Sequence, residues 1–310
     1  FLVGLLNTLL VTFVGIVLAT LLGLILGVAR LSNNWLISRL AQTYVEVIRN
    51  IPLLLQIFFW YFAVLRSLPS PRQSIHWGEL FFLNNRGAYL PAPIAEPGSG
   101  WAGWALLLAI LVTVILFRWA RLRQHQTGKT FPRWRVALGL MVALPLLALA
   151  VKGFPLGWEL PELKGFNFKG GWVMIPELMA LVTALSLYTA SYIAEIVRAG
   201  IQAVNRGQSE AAQSLGLSQG QTLRLIILPQ ALRVIIPPLT NQYLNLLKNS
   251  SLAAAIAYPE VVSVFAGTVL NQTGQAVEVI GITMGVYLLI SLSISLFMNR
   301  YNRRMKLVER

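Results

Sequence analysis

The chain has 310 residues, 56% of them hydrophobic and only 12% charged, and a net charge of +14. A charged fraction so far below the roughly 25% of soluble domains excludes an ordinary soluble protein and places the chain in a membrane. With no cysteine, disulfides, thiolate catalysis and cysteine metal sites are excluded, and the two histidines, His76 and His125, both in polar stretches, offer no metal cage.

A helix crossing the hydrocarbon core needs about 20 mostly apolar residues. In chain order, spans are expected at 2–29, 43–66, 102–118, 136–151, 175–198, 232–256 and 278–299. The basic residues lie in short segments between these runs, a positive-inside distribution that argues against nucleic acid as a partner. Arg30 and Arg39, then Arg118, Arg121, Arg123, Lys129, Arg133 and Arg135, and finally Arg300, Arg303, Arg304, Lys306 and Arg310 mark cytoplasmic segments. The segments 67–101 and 152–173 balance their charges and read as long exterior loops. These assignments agree with seven alternating spans, Phe1 outside and Arg310 inside, and a further helix is expected upstream of Phe1. Trp101, Trp104, Trp119, Trp134 and Trp172 fall at span ends, as an aromatic belt requires.

Between the fifth and sixth spans the chain sets aside a polar, helix-capable stretch. Gln208 to Ala212 suits a short helix and Gly216 a left-handed stop, since glycine tolerates that conformation. Ser218 then serves as an N-cap, with Gln221 completing a capping box. The product is a rigid helix-turn-helix knob on the membrane surface.

The order Glu210-Ala211-Ala212, Gly216-Leu217, then Leu228-Pro229 resembles the EAA loop of ABC-importer permeases. Four further segments resemble that family in order. They are Gly4 to Thr12, Tyr44 to Gln56, Ala194-Glu195-Ile196-Val197-Arg198-Ala199-Gly200 and Lys248-Asn249-Ser250-Ser251-Leu252. Arg49-Asn50-Ile51-Pro52, where many amino-acid permeases have Arg-Gly-Thr-Pro, is similar to the permeases for general L-amino-acid uptake. The resemblance implies an all-α integral membrane protein with the type I ABC-importer transmembrane fold. Residues 1–310 would form one such domain of about five core helices, with two more in an insertion at 67–173 and a cytoplasmic coupling loop at 205–230. It implies a subunit that carries amino acids across the bacterial plasma membrane. Its partners would be an ATP-binding subunit, a second and different permease subunit, and an exterior substrate-binding protein.

Polar residues at membrane depth default to functional or partner-paired positions. Glu46 and Arg49 lie three apart with Asn50 beside them, and the two charges read as an intrahelical ion pair or a gating element. Tyr188, Tyr192 and Glu195 share one stripe, with Arg198 a turn beyond, facing a cavity or a neighbouring helix. Asn241, Asn245 and Lys248 repeat at four and three and Asn249 continues the row; Pro237-Pro238 is expected to kink that helix. Such a row offers donors for a substrate carboxylate, and Lys248 equally a partner for a glutamate on a second permease.

No Gly-rich phosphate loop is present. Gly128-Lys129-Thr130 is a fragment without the first glycine, so ATP and Mg belong to a partner ATPase and no cofactor is expected in this chain. The alternative is a secondary transporter or channel driven by ion gradients, which would favour acids at mid-span, whereas Glu46 and Glu195 sit nearer span ends. A structural subunit of a membrane enzyme complex is a third reading, but haem or quinone chemistry would call for histidines in the spans.

Overall fold

The computed structural model describes residues 1–97, 99–128, 131–151, 153 and 156–305. Lys129, Thr130, Lys152, Lys306 and Arg310, and the side chains of His125, Arg303 and Arg304, lie outside the described residues. Among the described residues six helices are long and apolar enough to cross a membrane, or seven if one bent pair counts as a span. The chain divides into two compact units, one of residues 1–68, 85–87 and 174 onward, the other of residues 69–84 and 88–173.

In the first unit α1 (Leu2–Ala29) packs along α6 (Pro176–Gln202). Beside Val11, the buried face of α1 is made of small residues, Gly4, Thr8, Thr12, Gly15, Ala19, Gly23 and Gly27, repeating every three or four positions. Lipid tails are as apolar as leucine, so helices associate in a bilayer through close van der Waals contact, which small residues permit. A Cβ on Gly23 would lie 2.6 Å from Cβ of Ile193, and one on Gly27 would lie 2.7 Å from Cβ of Val197. On the other side of α6, Gly200 meets Ile235 of α9 (Leu228–Asn249). Ala19, Ile193, Val197, Ala231, Ile235, Leu239 and Leu246 form the shared core of these three helices. α6 is the most enclosed span of the chain.

The expected second span is not one straight helix. It is α2 (Trp35–Asn50) and α3 (Leu53–Leu65, π-helical from Phe59), set at 103°. Pro52 lacks an N–H and drives Ile51 into extended backbone (φ −96°, ψ 128°), which ends α2. α2 begins at Trp35, eight residues before the expected span, because Asn34 caps it by accepting from Leu36 N (3.0 Å) and Ile37 N (3.3 Å). The helix is amphipathic, with Ala41 and Val45 buried. The Gln56 amide closes the corner, donating to the carbonyls of Ile48 (2.9 Å) and Ile51 (3.0 Å).

The second unit holds α4 (Gly100–Thr127) and α5 (Arg133–Val151), packed on each other. α4 continues nine residues past its expected end, so Trp119 to Thr127 are helical and not loop. The stretches read as exterior loops carry short strands. β1 (Ile75–Trp77), β2 (Phe81–Asn84), β3 (Gly87–Leu90) and β8 (Trp172–Met174) form a sheet in the order β1-β2-β3-β8. β4 (Ala92–Ala95) pairs with β5 (Leu156–Glu159), and β6 (Glu162–Lys164) with β7 (Asn167–Lys169), both antiparallel. Tyr89 and Phe168, both buried, stack at 5.0 Å, and the Tyr89 hydroxyl donates to Asn167 Oδ1 at 2.8 Å.

After α9 a 3-10 turn (Ser250–Ile256) leads through left-handed Ala257 to a short helix, π-helical over Ser263–Val269 and ending in α10 (Leu270–Thr273), and then to α11 (Ala276–Met305).

Gly23→Val puts a Cβ and its two methyl groups where 2.6 Å is free and is expected to cost about 1–3 kcal/mol through forced repacking. The membrane abundance and detergent melting temperature of this variant should fall. Gly139→Val on α5, where nothing lies within 4 Å, should leave both unchanged. Equal behaviour of the two variants would contradict the close α1–α6 contact.

Candidate functional site

The polar stretch between α6 and α9 folds into two capped helices. Asn205 starts α7 (Arg206–Ser214) by accepting from Gly207 N at 2.8 Å. The helix closes in a Schellman motif: Leu217 N donates to Ala212 O (3.1 Å) and Gly216 N to Gln213 O (2.9 Å). The motif requires a left-handed residue, and Gly216 supplies it at φ +75°. Ser218 then caps α8 (Gln219–Thr222). Its hydroxyl accepts from Gln221 N (3.4 Å) while Gln221 Oε1 accepts from Ser218 N (2.9 Å), the capping box expected from sequence. A π-helical turn (Leu223–Ile227) runs directly into α9, with Pro229 in its first turn. The amide of Gln230 on α9 reaches Gln208 on α7 at 3.5 Å.

Orphan backbone groups at both helix ends are thus satisfied within the knob, leaving its surface free for contact. Glu210, Ala211 and Gly216 are exposed, as is Leu215, an apolar side chain at 81% exposure on the tip. Leu217 and Pro229 are half-buried. Ala212 is buried, so its small side chain serves the seating of α7 and not the outer surface.

At the adjoining ends of α1 and α6 three charges meet. The Glu195 carboxylate takes one oxygen to Arg30 and the other to Arg198, and Arg198 also donates to Gln202 at 2.7 Å. Glu195 therefore belongs to an ionic tie between α1 and α6. Arg30 was legible in the sequence only as an orientation signal. Above it, the Tyr188 and Tyr192 hydroxyls bond each other at 3.0 Å.

The expected Glu46–Arg49 pair does not form. Glu46 accepts from Gln42 at 2.7 Å, one turn back, while Arg49 stacks over the Tyr192 ring at 4.9 Å. A cation over the ring of a neighbouring helix competes successfully because the bend at Pro52 brings α2 across α6. Asn50 is exposed at that bend.

Asn241, Asn245 and Lys248 share an exposed face of α9, Asn249 is half-buried, and the opposite face, with Ile235, Leu239 and Leu246, is core. α9 stays helical through Pro237 and Pro238, and because neither proline has an N–H, the carbonyls of Arg233 and Val234 lack their donors four residues on. Among the described residues the polar face is uncovered, and no hydrogen bond joins it to the Tyr188–Tyr192 pair.

One buried acid escaped the sequence reading. Glu260, fully enclosed, accepts from Val262 N and Ser263 N (both 2.7 Å) and from the Tyr287 hydroxyl (3.0 Å). It caps the short helix before α11, while Asn7 and Thr8 of α1 bond the same turn at Pro259 O and Val261 N. A Pro-Glu pair opening an apolar run was the available signal.

Residues 134–307 match the family described as the binding-protein-dependent transport system inner membrane component. The chain belongs to this family. It is 60% identical to the putative amino-acid ABC transporter permease protein YhdX of Escherichia coli (strain K12), over all of this chain and 79% of that protein. Identity to the general L-amino acid transport system permease protein AapQ of Rhizobium johnstonii is 54%, over all of this chain and 77% of the relative. A crystal structure of an amino acid ABC transporter with histidines superposes with a TM-score of 0.57 at 23% identity, covering 98% of this chain and 92% of that one. A structure of the MetNI methionine ABC transporter gives a TM-score of 0.52 at 14% identity, over 99% and 96%. These likenesses establish the type I importer fold. The chain is a multi-pass inner-membrane permease subunit and not an enzyme, and ATP hydrolysis resides in a separate subunit. The ion-gradient alternative drops out with this membership.

Proposed function

We propose that this permease passes amino acids inward across the bacterial plasma membrane and is driven through the α7–α8 knob. An ATPase subunit, which holds ATP and Mg, docks on Glu210, Ala211, Leu215, Gly216 and Leu217. Ala212 and Pro229 seat the knob from behind. The observation that carries this reading is the knob's construction: two capped helices with a glycine-dependent turn between them, on the only stretch joining α6 to α9. Coupling needs an element that moves as a unit, and a self-satisfied hydrogen-bond network gives it that property. The names of two similar relatives support amino acids as cargo.

The exposed row Asn241, Asn245 and Lys248, continued by Asn249, would face a second, different permease chain and border the path. A lysine at mid-depth costs about 2.5–3.5 kcal/mol against lipid, so this face meets water, substrate or a partner helix. Tyr188, Tyr192, Arg49, Glu46 and Asn50 would lie at the inner end of the path, with Glu195 holding α6 in place. A substrate-binding protein delivers cargo at the exterior end, and residues 1–310 act as one transmembrane domain with an insertion at 67–173.

Gly216→Val would impose about 1 kcal/mol or more of left-handed strain and re-aim α8. Uptake should be lost while membrane abundance stays near wild type and ATPase co-purification weakens. Normal uptake by this variant would refute the knob as the lever. Asn245→Ala should alter uptake of different amino acids unequally with assembly intact; equal loss for all, together with failed assembly, would make the row a helix contact and not a path.

A further inference from the structure

The α4–α5 hairpin carries a feature that the proposed transport role does not draw on. From Glu96 to Glu159 the sequence has no acid between them, yet Arg118, Arg121, Arg123, Arg133 and Arg135 gather at one end of the hairpin. None of the five reaches a carboxylate within ion-pair distance among the described residues. Two are held in place by rings: Arg123 lies over Trp119 at 5.1 Å and Arg133 over Phe117 at 5.9 Å. Those rings are themselves packed edge-on, Phe117 with Trp134 at 5.0 Å and Trp119 with Phe131 at 5.4 Å. The tip is therefore an ordered array of uncompensated guanidinium groups, with Trp119 and Trp134 exposed beside it.

The shafts of the hairpin identify what surrounds it. Residues 102–117 of α4 carry one polar side chain, the buried Thr113, and residues 136–151 of α5 carry none. Both helices are exposed along nearly their whole length. α9 and α11, by contrast, carry asparagine and serine on their open faces. A helix apolar on every face and uncovered by protein is solvated by lipid chains. A cavity of about 390 Å³ between α4 and α5, lined by Trp101, Ala105, Leu144, Leu147, Ala148 and Val151, is likewise free of charge.

We propose that the arginine tip of the α4–α5 hairpin binds the phosphate headgroups of anionic phospholipid. Arginine matches phosphate oxygens with paired N–H donors, and the exposed indoles lie at headgroup depth. Four to eight cations next to a membrane span attract anionic lipid through the surface field as well as through contact. The hairpin thus anchors the subunit in anionic bilayer.

The test reads lipid retention on the full chain by native mass spectrometry after extraction into micelles of mixed phosphatidylglycerol and phosphatidylcholine. Wild type should keep phosphatidylglycerol selectively. Arg121→Gln with Arg123→Gln, which leaves Arg118, Arg133 and Arg135 to hold orientation, should bind it about thirty-fold more weakly. The double lysine variant should retain most of it. Equal retention of the two lipids by wild type, or unchanged retention by the glutamine variant, would overturn the proposal. So would loss of the ATPase subunit from the glutamine variant with lipid retention intact, which would make the tip a protein interface. Retention read on wild type alone keeps the proposal falsifiable if the variant fails to fold.

Discussion

Three glycines let α6 approach its neighbours so closely that a Cβ added to Gly23, Gly27 or Gly200 would fall 2.6, 2.7 or 2.3 Å from a side chain across the contact. In a bilayer, where burial of apolar surface drives nothing between helices, this closeness is the main source of cohesion. The Glu195 tie to Arg30 and Arg198 closes the same α1–α6 contact at its polar end. α6 is consequently fixed along its length to α1 on one side and α9 on the other.

The knob inherits its position from that packing. Only Ala203, Val204 and Asn205 separate α6 from α7, and the π-helical turn after α8 enters α9 without a break. A force on Glu210, Leu215 or Gly216 is thus delivered to two helices that already interlock. The polar face of α9 lies on one of those two helices and Tyr192, under the Arg49 guanidinium of α2, on the other.

Local signals carried much of this into the sequence. Helix ends were legible where a side chain or a glycine caps the backbone: Gly216, Ser218 and Gln221 do in space what their types and spacing imply. Span positions followed from apolar length. What stayed hidden depended on contacts between distant segments. Arg49 is three residues from Glu46, yet its partner is Tyr192 on another helix. Pro52 breaks a span, whereas Pro237 and Pro238 sit within an intact α9, because the helix there is held on one face by α6. The strands of the insertion are three or four residues long, too short for periodicity to mark them. Glu260 gave little signal in the sequence because its donors are backbone groups of its own short helix and Tyr287, 27 residues on.

The central claim is that the exposed tip of the knob touches the ATPase. This chain has no cysteine, so a single Leu215→Cys substitution places one thiol on that tip. With the ATPase subunit present, a short bifunctional thiol reagent should link Leu215→Cys to a cysteine placed in the groove of that subunit, and the yield should change when ATP is added. A cysteine at Gly139, on the apolar shaft of α5, should give no such product. Absence of any link from Leu215→Cys in an assembled and active transporter, under conditions where the thiol reacts freely, would contradict the account.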